Sequence, residues 1–332
     1  MMKGSRRIRP STIINYTSLR VLLKGFSEKK KFPLRIMVLK NVRSGREYKA
    51  EKKYWRSFYL QFTNYLFYDR KCFDNYVGSN IKVLRVFFNY LVYERELNIG
   101  LFYKKFDVLL EEIEIIVLLQ SQLQFLITNK EFEASLPDKL KKVKDFFVFG
   151  CTVALRISDL MALTKANLEI VSDKYYLRTS SKKTETFTRV LLPPYVVEIL
   201  KKYAGHKKIL PRITKAQLNV KIKELIELAN WNEERIVIRH RRGEPIEIYK
   251  NEKNKTPYRF CDLISSHTMR RTAITTLLCL NVPENVVRKI SGHAPNSKEF
   301  YKYVELSQKY MDGEIEKAHK ELIGEKSPLI VV

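Results

Sequence analysis

The chain has 332 residues, which suits two domains of roughly 100–200 residues each. Lys and Arg number 62 against 36 Asp and Glu, for a net charge of +26, yet 45% of residues are hydrophobic and 12% aromatic, so real cores can form and a disordered polycation is excluded. No stretch approaches the roughly 18 consecutive apolar residues of a membrane-spanning helix. The basic N-terminus is not followed by the apolar segment of a signal peptide, so a cytoplasmic protein with no membrane partner is expected. Cys72, Cys151, Cys261 and Cys279 are scattered, without CxxC or Cys/His spacing, and read as free thiols in a reducing compartment with no metal site. A folded chain this basic calls for a polyanion, first of all nucleic acid. An anionic membrane surface competes, but the charge is spread along the chain rather than held in one polybasic segment.

Residues 1–10 form a basic tail. Ser11-Thr12 is placed to cap a helix running through Ile14, Leu19, Leu22, Leu23 and Phe26. Residues 27–50, rich in Lys and Arg and containing Pro33 and Gly45, read as a connector with a short ordered piece. From Trp55 to Tyr68, Phe58, Phe62 and Tyr65 recur at helical spacing. Val77, Ile81, Leu84, Phe88 and Leu91 make one apolar helical stripe that ends near Asn98-Gly100, with Lys82 and Arg85 off the stripe and free to meet phosphates. Residues 11–105 are therefore expected to form a small, basic, all-helical domain, residues 106–320 a second domain, and residues 321–332 a tail.

In the second half, residues 111–126 read as a helix, acidic and then Gln- and Leu-rich, and residues 139–153 as another, burying Val143, Phe146, Phe147 and Gly150. Residues 174–180 and 187–192 read as two strands around the polar tip Ser181-Lys182-Lys183-Thr184-Glu185-Thr186, with Pro193-Pro194 stopping the second. Helices follow at 195–203 and 214–229. Residues 235–260 read as polar, basic and irregular. After Ser265-Ser266-His267 a helix runs through Met269, Ala273, Leu277 and Leu280; Pro283 opens another, which ends at Ser291-Gly292-His293. No internal repeat is evident. The expected fold is α+β and mostly α, with a small antiparallel sheet.

His267 and Arg270, three apart at a helix start, share a face away from the apolar set 269, 273, 277 and 280. The helix N-terminus adds partial positive charge there. Arg156 lies among apolar neighbours, with Asp159 three residues on to orient it. Gly292-His293 reads as a helix stop. Taken singly, each pattern also fits ordinary surface or capping chemistry.

Together and in order they resemble the tyrosine recombinases of the phage-integrase type. The resemblance is carried by Ala154-Leu155-Arg156-Ile157-Ser158-Asp159-Leu160, by His267-Thr268-Met269-Arg270-Arg271-Thr272, by Ser291-Gly292-His293, by Phe300-Tyr301-Lys302-Tyr303-Val304, and by the hairpin holding Lys183-Thr184. The closing stretch through Glu305-Leu306-Ser307 looks most like integrases of Bacteroidetes mobile elements. The likeness spans residues 10–320, loosely in the first half and most specifically over 143–164 and 265–307. Three departures stand out: Ala154 where the family usually has Gly, Ala273 where an aromatic is common, and a His-to-Tyr spacing that the family norm splits, Tyr301 being one residue short and Tyr303 one long.

The resemblance implies a helical, SAM-like core-binding domain and a mixed α/β catalytic domain that clamp double-stranded DNA, working as a homo-tetramer on two DNA sites, with accessory DNA-bending proteins as further partners and no cofactor. It implies that a tyrosine attacks a DNA phosphodiester to give a 3′-phosphotyrosyl link and a free 5′-hydroxyl. Arg156 and Arg270 would hold the non-bridging oxygens, His267 would help take the phenol proton, His293 would donate to the phosphate, and Lys183 would protonate the leaving oxygen. Tyr303 is the expected nucleophile, because Phe300-Tyr301-Lys302-Tyr303-Val304-Glu305-Leu306-Ser307 fits the longer family pattern; Tyr301 is the alternative. Integration or excision of a mobile element is the expected role. Chromosome-dimer resolution, DNA inversion and a catalytically silent DNA-binding relative are the alternatives.

Overall fold

Among the described residues, three α-helices precede residue 100: α1 (Pro10–Lys30), α2 (Arg46–Asn64) and α3 (Asp74–Asn89). Pro10 takes the first helical position, where its missing N–H costs nothing, so α1 starts there behind Arg9 rather than being capped by Ser11 or Thr12. The predicted stripe of α3 is buried at Val77, Ile81, Leu84, Phe88 and Leu91. From α2, Trp55 meets Phe88 edge-on at 4.8 Å, and Phe58 stacks on Phe62 at 5.4 Å. Such pairs add about 0.5–1.5 kcal/mol each beyond the area they bury.

The structure is a computed structural model and describes residues 8–40, 45–180, 187–206 and 208–323. The chain splits into two units, Met1–Ile113 with Ile236–Tyr249, and Glu114–Arg235 with Lys250–Val332.

Within the first unit, α2 and α3 end on a short repeat that the sequence reading passes over: Asn64-Tyr65-Leu66-Phe67-Tyr68-Asp69-Arg70 and Asn89-Tyr90-Leu91-Val92-Tyr93-Glu94-Arg95. Both segments widen into a π turn over their last residues, Tyr65–Asp69 and Tyr90–Glu94. The Arg70 N–H donates to the Tyr65 carbonyl and the Arg95 N–H to the Tyr90 carbonyl, each at 3.0 Å, and Lys71 and Glu96 then take φ of 52° and 53°.

The second unit starts with an extended segment where a helix over 111–126 is expected. Helix α4 (Gln120–Thr128) begins only at residue 120. The β-branched run Ile115-Ile116-Val117 disfavours helix. The Leu118 N–H donates to Thr272 Oγ1 at 3.0 Å instead of along the chain. After α5 (Lys130–Ser135) comes α6 (Asp138–Val153), nearly all of it buried from Val143 onward, and then the single turn α7 (Ile157–Leu160). The predicted strands are present as β2 (Lys174–Ser180) and β3 (Phe187–Leu191), joined by an additional β1 (Leu168–Val171) in an antiparallel sheet of order β1-β2-β3. Leu177 pairs with Val190, and both face the core. Helices α8 (Pro194–Lys202) and α9 (Lys215–Leu228) follow, then the short strand β4 (Glu234–Arg235).

Residues 237–248 are not irregular. Strands β5 (Val237–Arg241) and β6 (Glu244–Ile248) form an antiparallel hairpin that belongs to the first unit. Two buried carboxylates of that unit anchor it. Asp74 accepts the backbone N–H groups of Arg242 and Gly243 at 2.6 and 2.8 Å, and Glu111 accepts Arg239 Nη2 at 2.7 Å and the His240 N–H at 2.6 Å. Burial works against the Glu111 charge, but these donors outweigh it and lower its pKa.

Strand β7 (Tyr258–Arg259) pairs with β4, and four helices close the chain: α10 (Phe260–Leu263), α11 (Ser266–Cys279), α12 (Glu284–Ser291) and α13 (Lys298–Leu322). Helix α11 lies against α6 at Gly150, where a Cβ would come within 2.4 Å of Met269 Sδ, so only glycine permits this approach. Elsewhere in the unit, Lys202 donates to Glu133 at 2.7 Å and to Asp145 at 3.2 Å, and Tyr203 donates to Asp145 at 2.8 Å. Burial opposes the Glu133 charge, yet Lys202 and Lys144 hold its pKa down at about 2. The fold is mostly helical with small antiparallel sheets, as the sequence reading expects. All four cysteines are free thiols, and among the described residues no helix is long and apolar enough to cross a membrane.

Candidate active site

Helix α11 is started by a reciprocal cap: the His267 N–H donates to Ser265 Oγ at 3.3 Å, and the Ser265 N–H donates to Thr268 Oγ1 at 3.1 Å. This fixes the first turn. Met269, Ala273 and Ile274 bury one side, and Arg270 is drawn in with them, 8% exposed. A guanidinium so enclosed needs partners. Its Nη1 donates to the Ala154 carbonyl at 2.9 Å, and its Nη2 lies 3.1 Å from His293 Nε2 and 3.4 Å from Nδ1. Burial, and then the charge of Arg156, pull the Arg270 pKa down to about 10, against the opposing influence of Tyr303 and Asp159.

The two arginines are close because α6 stops abruptly. Ala154, fully buried, takes left-handed φ 56° and ψ 17°, a conformation that costs a non-glycine residue about 1–2 kcal/mol. That turn aims its carbonyl at Arg270 and lets half-buried Arg156 cap α7 from φ −69°, ψ 146°. The strain accounts for the glycine usual here in the family the sequence resembles. Two cations held near each other form a ready receptor for a multiply charged oxyanion, which each guanidinium can grip with two parallel N–H groups.

Helix α12 delivers the third group. Gly292 takes φ 64° and the His293 N–H returns to the Arg288 carbonyl at 3.1 Å, a left-handed stop that any side chain would strain. The stop throws the His293 ring back onto Arg270. Burial, then Arg270, Arg156 and Arg288, lower the His293 pKa to about 3, so the ring is neutral. His267 stands at the surface beside the cluster. Partial loss of water, then Lys215, Arg271 and Arg270, lower its pKa as well.

The tyrosines part company on α13. Phe300, fully buried, anchors the helix, and Arg288 lies 4.0 Å above its ring. Tyr301 is 49% exposed and sits on the same guanidinium, at 4.8 Å. Tyr303 is half-buried, its ring 6.0 Å from His293. A turn at Ala294–Ser297, tied down by Arg288 Nη1 donating to the Pro295 carbonyl at 2.8 Å, takes up the extra residue between His293 and Tyr303.

Arg156, Arg270, His293 and Tyr303 are thus brought together, with His267 at the edge. Lys183 and its neighbour Lys182 lie outside the described residues. The sequence reading gave no role to the Ala154 carbonyl, a backbone group with no residue signature, or to Ser291, whose Oγ is 2.8 Å from His293 Nδ1. Among the described residues, no group of three or more His, Cys, Asp or Glu is placed to hold a metal ion.

No protein-family model matches the sequence, and no curated protein matches it. Solved structures do match the fold. XerH recombinase bound to a palindromic difH substrate has a TM-score of 0.57 at 12% identity over 88% of this chain and 75% of that one. The Tn1549 transposon integrase in complex with transposon right-end DNA has 0.55 at 13% over 91% and 90%. A lambda integrase tetramer bound to a Holliday junction has 0.54 at 14% over 90% and 73%. The chain therefore has the fold of the tyrosine recombinases.

Proposed function

We propose that this chain is a site-specific tyrosine recombinase that cuts and rejoins duplex DNA through a 3′-phosphotyrosyl intermediate. The observation that carries the reading is the grouping of two arginines, a neutral histidine and a half-buried tyrosine around one point of this fold. The Tyr303 phenol loses its proton, with His267 assisting, and its oxygen bonds to phosphorus as the P–O5′ bond breaks. The leaving oxygen takes a proton from Lys183. Arg156 and Arg270 neutralise the negative charge that builds on the non-bridging oxygens, the largest single contribution in chemistry of this kind. The linkage conserves the phosphodiester bond for rejoining to another strand.

The net charge of +26 suits a DNA partner held by many phosphate contacts. We further infer a homo-tetramer on two DNA sites and a role in integrating or excising a mobile element, supported by the likeness to the lambda integrase tetramer and the Tn1549 integrase. The cytoplasm, where the DNA lies, is the inferred compartment. The test is a nicked duplex whose cleavage releases a short strand and so traps the covalent adduct. An adduct that survives denaturant supports the reading, and its absence over a library of candidate sites contradicts it.

A further inference from the structure

Arg288, on α12, has no place in the chemistry above, yet its side chain is only 12% exposed. A guanidinium taken that far out of water needs specific partners. Four meet it. Nη2 donates to Glu284 Oε2 at 3.2 Å, one turn back on the same helix, and Nη1 donates to the Pro295 carbonyl at 2.8 Å. The central carbon lies 4.0 Å from the centroid of the Phe300 ring and 4.8 Å from that of Tyr301. Glu284 orients the fork. The other three partners all belong to the segment that leads to Tyr303. A cation over an aromatic face holds more firmly where water is excluded, as it is over buried Phe300.

The main chain of the same residue serves the other end of that segment, since the Arg288 carbonyl accepts the His293 N–H at 3.1 Å. The turn closes on itself through the Ser297 N–H to the Ala294 carbonyl at 3.1 Å and the Phe300 N–H to the Ser297 carbonyl at 3.0 Å. Those bonds give the turn its shape but do not tie it to α12, which the Arg288 fork does. Phe300 links the fork to the site. Its ring, fully buried, lies 5.5 Å from the His293 ring and 6.5 Å from the Tyr303 ring, which are 6.0 Å from each other. In a close-packed interior a shift of Phe300 is passed on to the rings it touches.

We propose that Arg288 is a positioning residue for the nucleophile: it fastens the 294–297 turn and the first turn of α13 to α12, and so sets where the Tyr303 hydroxyl stands relative to His293. It acts through Pro295 and Phe300 rather than on the reacting atoms. The consequence for cleavage rests on the proposed recombinase reading; the hold on α13 does not.

The test reads the two separately, in the full chain. Arg288→Met keeps the length and bulk of the side chain but loses the charge and both donors. In single-turnover adduct formation with protein saturating, it lowers the rate by about 10- to 100-fold, the effect of misplacing a reacting group by up to about 1 Å, while its Kd for the duplex is unchanged. A residue needed only for folding would lose rate and affinity together. Without DNA, hydrogen exchange followed by mass spectrometry shows the amides of residues 295–304 exchanging about tenfold faster in Arg288→Met, from loss of the hydrogen bond and the ring contact, with α6 and α11 unchanged. Arg288→Lys, whose single ammonium cannot reproduce the planar fork, shows the same pattern at smaller amplitude, and it is judged by the same criteria if Arg288→Met does not fold. Wild-type adduct rate, a parallel loss of affinity, or exchange that is unchanged or faster throughout the chain overturns the proposal. If the wild type itself forms no adduct, the recombinase reading fails, while the exchange pattern still decides whether Arg288 holds α13.

Discussion

Gly150→Ala tests whether the α6–α11 contact sets the position of the site. The added methyl would meet Met269 at 2.4 Å from Sδ, 3.2 Å from Cγ and 3.1 Å from Cβ. The thioether end can swing away, but the Cβ is fixed to α11 and can move only with the helix. In a free helix the change gains about 1 kcal/mol. Overpacking a filled core costs about 1–3 kcal/mol, so a net loss of about 0–2 kcal/mol is expected from the two together. Met269→Ala, at a fully buried position, should cost about 2–5 kcal/mol alone. In the double variant the new methyl occupies part of the space that Met269 leaves. The combined loss should therefore fall short of the sum by at least about 1 kcal/mol, well outside additivity for independent sites. Urea unfolding followed by circular dichroism reads all three values. Because α11 carries His267 and Arg270, the single glycine variant should also cleave more slowly, and the double variant should regain part of the rate. A stabilised Gly150→Ala, or a strictly additive pair, would refute the close approach.

Other consequences can be measured directly. Arg156→Ala and Arg270→Ala should each bind DNA in a mobility-shift assay yet lower adduct formation by a factor of about 10² to 10³, the usual effect of removing one transition-state donor; wild-type cleavage by either would remove that arginine from the site. Lys183→Ala should be rescued by a substrate with sulfur at the 5′-bridging position, since a thiolate leaves without a proton, and failure of rescue would move the acid role elsewhere. Glu133 titrates at about 2 when folded against 4.5 for the free side chain, and His293 at about 3 against 6.5. In both cases the unfolded chain binds the proton more readily, so stability is fully present above about pH 6.5 and falls as pH drops toward 2, the His293 part between about 6.5 and 3 and the Glu133 part between about 4.5 and 2. His293→Asn should flatten the upper part of that fall and Glu133→Gln the lower part; a urea midpoint constant over this range would contradict both assignments.

Much of the helical framework was legible, because burial on one face leaves a period that survives in the sequence. Val77, Ile81, Leu84, Phe88 and Leu91 announce α3 and are all buried. Gly292 and Pro283 mark the two ends of α12. Other features left no such trace. The hairpin at 237–248 is half exposed and carries Pro245 on an edge strand opposite His240, so alternation is weak; it is held by Asp74 and Glu111, residues far away in sequence. The extended segment at 114–119 is set by a hydrogen bond to Thr272 that no local pattern reveals. The candidate site was legible in its residue types but not in its supports, since the Ala154 carbonyl has no sequence signature and Ser291 looks like any helix-terminal serine. Spacing alone left Tyr301 and Tyr303 open, whereas the structure stacks the first on Arg288 and turns the second toward His293.

The central claim, that a tyrosine of this cluster attacks DNA, is tested most directly by comparing Tyr303→Phe with Tyr301→Phe on the nicked trapping substrate. Each change removes only a hydroxyl, so both variants should fold and bind DNA. The account predicts that Tyr303→Phe forms no covalent adduct, while Tyr301→Phe forms it as the wild type does, with the DNA 3′-phosphate mapped to Tyr303 by peptide mass. Adduct formation by Tyr303→Phe, or its loss in Tyr301→Phe alone, would contradict the account.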